Sequence, residues 1–359
     1  MRILVVTPWF PTDRSPASGL FVAREAHALA EAHDVHVLHL DWTGASDAET
    51  AAVGLDVSRV SLRRTRPADF ARARRLVREA AAGADVVHTH ALTGLLPWLR
   101  GRPADRPWVH SEHWSGLTAP ETLGVGERML LRPLRRVLAR PEAVIAESRR
   151  LAAAIRPHRH GTVEIVPCVV PAAPAVAWPQ GDRLLAVGGL IPRKGPLLAV
   201  GALAALIARG RPATLTWIGE GPERESAHAE AERLGVSGAL RLTGALPSAD
   251  VERAFAEARL FVLPTQGDNF CVATAEALTH GRPIVSGAAT GAVDYSHPSV
   301  SRFVDVQTPR AYADAIEDLL TATSAMTPHD VSATVADAFT PTTVREGIER
   351  VYRSIGVPA

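Results

Sequence analysis

The sequence predicts an α/β protein of two doubly wound domains, and three observations carry that expectation. The chain has 359 residues, beyond the size at which a single hydrophobic core keeps growing. Short apolar runs such as RILVVTP and DVHVLHL alternate with segments of helical period, as buried parallel strands and their crossover helices do. The alternation halts once, in PCVVPAAPAVAWPQGD, where Pro167, Pro171, Pro174 and Pro179 mark an extended linker. The expected boundaries are a first domain over 1–168, a linker over 169–180 and a second domain over 181–341.

The elements follow in order. RILVVTP is a strand, a helix covers about Gly19 to Ala32, DVHVLHL is a strand, and an arginine-rich helix runs near Asp69 to Ala82. ADVVHTH, PWVHSEH, AVIAES and EIVP continue the strands. After the linker come RLLAVGGL, a helix from Pro196 to Arg209, TLTWIGEG, a helix from Glu223 to Leu234, LRLTGAL, a short helix from Ser248, and LFVLPT. A helix after Phe270, the strand RPIVSG and a last helix near Thr342 to Ile355 complete the series. Sheets of this kind bind ligands beyond the carboxyl ends of their strands, so a crevice between the two domains is the expected site.

Composition narrows the function. A net charge of +1 gives no general attraction to nucleic acid. Two cysteines, Cys168 and Cys271, make neither a disulfide framework nor a metal-ligand spacing, which fits a reducing, cytoplasmic setting. The apolar run Ile3 to Val6 is too short for a signal-peptide core, and Leu197 to Ala208 is about half the ~20 residues of a membrane span. In ERMLLRPLRRVLAR, an apolar stripe of Leu130, Leu131, Leu134, Val137 and Leu138 lies largely opposite Arg128, Arg132, Arg135 and Arg136. Such a helix suits a membrane surface or, as Pro133 and the low net charge favour, packing on its own domain.

The chain holds 39 basic side chains, of which only Lys194 is a lysine. It falls in GGLIPRKGP, just past a strand and among Gly188, Gly189 and Gly195, where a compact ammonium suits a crowded phosphate. A plain glycine turn would look the same. In FVLPTQGDNFCVATAEALTHGRPIVSG, Asp268 lies in the loop before a helix and Glu276 eight residues on, two turns inside if the helix starts near Phe270. Amides of Phe270, Cys271, Val272 and Ala273 at that helix start can hold a diphosphate while the carboxylates read sugar hydroxyls. A helix cap at Asp268 and a solvated Glu276 are the bland alternative.

With DVVHTH, SEHWSG, WIGEGPERE and LTGALP in the same order, these motifs resemble the retaining nucleotide-sugar glycosyltransferases of family 4, which have the GT-B fold of two Rossmann-like domains. The resemblance implies an acceptor-binding first domain, a donor-binding second domain and a C-terminal helix, 342–359, that crosses back to the first. It places Gly19 in the donor loop, Lys194 and Arg193 at the diphosphate, and Leu246 at the base. Glu276 falls at the ribose, Asp268 at the transferred sugar with Asn269, Phe270, Cys271 and Val272 beside it, and His113 near sugar and acceptor. It implies a nucleotide-sugar donor, most simply a UDP-sugar, a small-molecule or glycan acceptor, and no metal or other cofactor. Gly189 replaces a common basic residue, Asp268 a glutamate and Cys271 a glycine. An epimerase of the same fold and a catalytically weak sugar-nucleotide-binding subunit are the rivals.

Overall fold

The computed structural model describes residues 1–44, 54–120 and 123–358, so the first domain's loops over 41–56 and 114–127 lie partly outside the described residues. The chain divides into two compact units, Met1–Val169 with Phe339–Ala359, and Val170–Ala338.

In the first unit the order is β1 (Arg2–Thr7), α1 (Leu20–Ala30), β2 (Asp34–Asp41), β3 (Asp56–Ser61), α2 (Pro67–Ala81), β4 (Val86–His90), β5 (Trp108–Glu112), α3 (Val125–Val137), β6 (Ala143–Ala146), α4 (Arg149–Ile155) and β7 (Thr162–Ile165). All seven strands are parallel, in the order β3-β2-β1-β4-β5-β6-β7. The central strands are buried along their length: β6 is wholly apolar, while β4 and β5 open on apolar pairs and bury polar residues after them. Edge strand β3, DVSRVS, has no such run and is not legible as a strand.

The second unit runs β8 (Asp182–Val187), α5 (Pro196–Ala208), β9 (Ala213–Ile218), α6 (Arg224–Arg233), β10 (Leu240–Gly244), α7 (Ser248–Ala256), β11 (Leu260–Leu263), α8 (Val272–Thr279), β12 (Ile284–Gly287), β13 (Ser301–Val304), α9 (Pro309–Ala322) and α10 (Pro328–Ala333). Its six parallel strands lie in the order β10-β9-β8-β11-β12-β13. The last helix, α11 (Pro341–Ser354), belongs to the first unit and packs on α1, burying Val344, Ile348, Val351 and Tyr352.

Two local findings modify the sequence expectations. Residues 170–180 do not hang free of the second unit. The fully buried Arg282 donates to the carbonyls of Ala258 (2.9 Å) and Val176 (2.6 Å), Trp178 Nε1 donates to Gly281 O (2.9 Å), and the Arg259 guanidinium covers the Trp178 ring at 3.6 Å. In α3 the packed stripe is Leu131, Leu134, Val137 and Leu138, whereas Leu130 joins Val125 and Met129 on the exposed side. Among the described residues no helix is long and apolar enough to cross a membrane.

Candidate functional site

The second unit brings Lys194 and Asp268 together. Beyond β8 the chain makes a tight turn over Pro192–Lys194 and enters α5 through Gly195, whose φ of 69° is left-handed. A Cβ there would lie 2.3 Å from Pro264 O, so the turn is pressed against the loop after β11 and only glycine fits. Gln266 N donates to Arg193 O (2.8 Å) and the Arg193 guanidinium to Gly267 O, which ties the two loops together. Lys194 Nζ donates to Asp268 Oδ2, and Arg193 stands 4.0 Å from the same oxygen. Burial pulls Lys194 toward neutrality, but Asp268 holds its pKa above the ordinary value; burial likewise pushes Asp268 up, and Lys194 keeps it low. The pair is ionised on both sides.

The helix beyond Asp268 begins at Val272 rather than near Phe270, because Cys271 sits at φ 65°, ψ 66°, outside the helical region. Glu276 is therefore one turn inside α8, not two, and partly buried. Asp268 does not cap α8, whose N-terminus has no side-chain cap. The first-turn amides of α8 thus begin at Val272, and those of Phe270 and Cys271 precede the helix. Tyr295 steadies the irregular backbone, its hydroxyl reaching the carbonyls of Phe270 (3.0 Å) and Cys271 (2.9 Å). Asn269, Phe270 and Cys271 are buried and Val272 partly so. Leu246 follows β10 and lines a groove of about 610 Å³ with Thr216, Ile218 and Thr243, a groove that includes neither Lys194 nor Asp268. At Gly189 a Cβ would meet nothing closer than Glu220 O at 3.5 Å, so the missing basic side chain there is not excluded by space.

The first unit builds a second cluster at the carboxyl ends of β4, β5 and β6. Gly19 opens α1 at φ 66°, where a Cβ would lie 2.3 Å from Trp9 O. Two residues on, the Phe21 ring lies 4.6 Å from that of His113. His113 Nδ1 bonds Glu147, and its Nε2 lies 3.1 Å from His90 Nδ1, with the two imidazoles parallel. Burial works against a charged His113, but Glu147 raises its pKa above the usual histidine value. Burial raises the Glu25 carboxyl to about 7 and lowers His88 to about 3.

Sequence reasoning reached His113 but missed the acids around it. Glu112, completely buried, accepts from the amides of Leu92 (3.2 Å), His113 (2.9 Å) and Trp114 (2.7 Å) on one oxygen, and its other oxygen lies 3.2 Å from His110 Nε2. It fixes the backbone that presents His113. Glu112 is the last residue of β5, WVHSE, Glu147 follows the apolar run of β6 in AVIAE, and Glu25 lies on the buried stripe of α1 with Val22, Ala26 and Leu29. Acids in those places were the available signal.

Two Rossmann-like units of parallel sheet, with a C-terminal helix returned to the first, define the GT-B fold class. Within that class the chain belongs to glycosyltransferase family 4: the family model "Glycosyltransferase Family 4" matches residues 19–173 and "Glycosyl transferases group 1" matches 181–322. It is 29% identical over 314 residues to a D-inositol 3-phosphate glycosyltransferase of Frankia alni, covering 77% of this chain and 75% of that one. A protein of the same description from Thermobispora bispora is 27% identical over 317 residues, covering 77% and 73%. Among solved structures, the sucrose-phosphate synthase of Thermosynechococcus elongatus superposes with a TM-score of 0.76 at 18% identity, over 99% of each chain. Anabaena HepE in complex with UDP and glucose gives 0.75 at 17% identity, over 99% of this chain and 100% of that one. Both solved structures share the fold.

Proposed function

We propose that this glycosyltransferase moves a sugar from a UDP-sugar to a hydroxyl of a small acceptor, with retention at the anomeric carbon. The observation that carries the reading is Lys194, the only lysine, held beside Asp268 in the turn before α5 and next to the uncapped start of α8. An ammonium, together with the first-turn amides of α8, can neutralise the charge that develops on a departing diphosphate. Arg193 adds charge to the same place. The leaving phosphate oxygen, on the face from which it departs, takes the acceptor's proton, so no strong protein base is needed. His113, oriented by Glu112 and Glu147, positions the acceptor side. The scheme needs no metal ion. UDP as the nucleotide gains support from the HepE complex, and D-inositol 3-phosphate is the first acceptor to try because the sequence relatives carry that name.

The test is a panel of UDP-sugars with and without D-inositol 3-phosphate and simple polyols, with product configuration read by NMR. Retained configuration, acceptor-dependent UDP release and indifference to EDTA are expected. Conversion of the donor without an acceptor would favour an epimerase, and binding without turnover a non-catalytic subunit.

Two substitutions probe the carboxylates. Glu276→Gln is expected to weaken UDP binding about ten- to hundredfold in calorimetry, the loss of a charge-assisted bond of about 1.5–3 kcal/mol to the ribose. An unchanged dissociation constant would remove Glu276 from the ribose. Asp268→Asn is expected to lower turnover while bare UDP affinity holds within about threefold, because UDP lacks the sugar that the carboxylate reads. Asp268→Glu should reorder the donor panel, since the added methylene alters the pocket. Wild-type turnover and donor ranking in both variants would defeat the assignment.

A further inference from the structure

We propose that Glu25 Oε1, His88 Nδ1 and His90 Nε2 form a binding site for one borderline divalent transition ion, of which Zn²⁺ is the type, clipping α1 to β4. The site adjoins His113, whose Nε2 faces His90, but no step of the transfer scheme passes through the ion. The three ligand atoms lie within 4.8 Å of one another, on side chains that are all buried. Glu25 Oε1 is 3.8 Å from His88 Nδ1 and 3.5 Å from His90 Nε2. Those spacings are long for hydrogen bonds but near the edge of about 3.3 Å that a tetrahedron with metal–ligand bonds of 2.0–2.1 Å requires.

The hydrogen bonding around the cluster points the same way. Glu25 Oε1 and His90 Nε2 have no hydrogen-bond partner among the described residues, although both are buried. Orphans of this kind call for a missing water or ion. The outer ring nitrogens, by contrast, are engaged: His88 Nε2 lies 2.8 Å from Ser111 Oγ, and His90 Nδ1 lies 3.1 Å from His113 Nε2, which is itself anchored by Glu147. A bound ion would take the inner lone pairs of His88 and His90, with His88 Nε2–H donating to Ser111 Oγ and His90 Nδ1–H donating to a His113 Nε2 that has given up its proton. Outer N–H groups held by oxygen or nitrogen are the usual support of metal-bound histidines. Two imidazoles and one carboxylate select Zn²⁺ or its neighbours over Mg²⁺ and Ca²⁺, which prefer oxygen. The one competitor is the Tyr352 hydroxyl, 2.8 Å from His88 Nδ1, which would turn aside on binding.

The experiment uses untagged, chelator-treated full-length protein, titrated with Zn²⁺ by calorimetry and with Co²⁺ by visible absorption. One ion per chain at micromolar affinity or better, a tetrahedral Co²⁺ spectrum and a raised Tm are expected. Glu25→Gln and His90→Ala should each remove the Co²⁺ band, with far-UV circular dichroism confirming that they fold. Should either fail to fold, His113→Gln, which touches no ion, should still lower affinity about ten- to hundredfold. Tyr352→Phe should tighten binding, an effect a merely structural cluster would not give. Absence of binding in the wild type at micromolar Zn²⁺, or unchanged stoichiometry and affinity in folded Glu25→Gln, overturns the site.

Discussion

Lys194→Ala is expected to lower kcat with the nucleotide sugar by about 10²–10³, the scale found when one donor is removed from a charge-stabilising site. The loss has two sources. The departing diphosphate loses its point charge, and the Asp268 carboxylate is left with Arg193 at 4.0 Å as its remaining basic neighbour. Lys194→Arg is expected to lose most activity as well. The lysine stem runs past Gly188, with Cδ and Cε 3.8 Å from where a Cβ would stand, and Arg193 already takes the space beside Asp268 that a second planar guanidinium would need. Steady-state kinetics on both variants, with UDP calorimetry and Tm alongside, check this. Wild-type turnover in the arginine variant would mean that charge alone matters at position 194.

Glu112→Ala is expected to destabilise the first unit by about 3 kcal/mol or more, because three backbone amides lose one acceptor at once and each buried orphan costs about 1–3 kcal/mol. Glu112→Gln keeps an acceptor oxygen and should cost about half as much. Chemical denaturation gives the size of the effect, and hydrogen exchange gives its place: protection should fall first at the amides of Leu92, His113 and Trp114. The effect on turnover should be on kcat rather than on UDP affinity, since Glu112 and the UDP-binding residues proposed above belong to different units. A Glu112→Ala protein as stable as wild type, with protected amides at these three positions, would refute the role.

The central strands of both sheets were legible because burial on two faces leaves apolar runs, or at least the apolar pairs that open VVHTH and WVHSE. The edge strands β3 and β13 were not, since DVSRVS and SRFV mix polar residues into segments with a single hydrogen-bonded neighbour. Helices α9, α10 and α11 all open on Thr-Pro, with Thr308, Thr327 and Thr340 each accepting from the amide three residues on. That repeated device was readable at all three, and α9 also carries a plain apolar period in Tyr312, Ala313, Ile316, Leu319 and Leu320. Of the site, the sequence exposed the residues on glycine-rich turns, Lys194 and Asp268, but not that they pair across 74 positions. It also offered no way to see that Cys271 would be left-handed and delay α8. The three acids around His113 lie on three separate segments, α1, β5 and the end of β6, and their meeting is a property of the sheet order.

The return of α11 to the first unit has a consequence for the order in which the protein can fold as it is made. The core of that unit includes Val344, Ile348, Val351 and Tyr352, packed with Val22, Ala26 and Leu29 of α1. About 170 residues of the second unit separate these from Val169. At 5–20 residues per second the ribosome needs on the order of ten to thirty seconds to supply them. Throughout that interval the apolar face of α1 and the ring of His88 lack their covering helix, while the contiguous second unit can complete its own core first. In the cell, then, the half of the enzyme synthesised first is the half finished last, and chaperones have their longest opportunity at the bare face of α1.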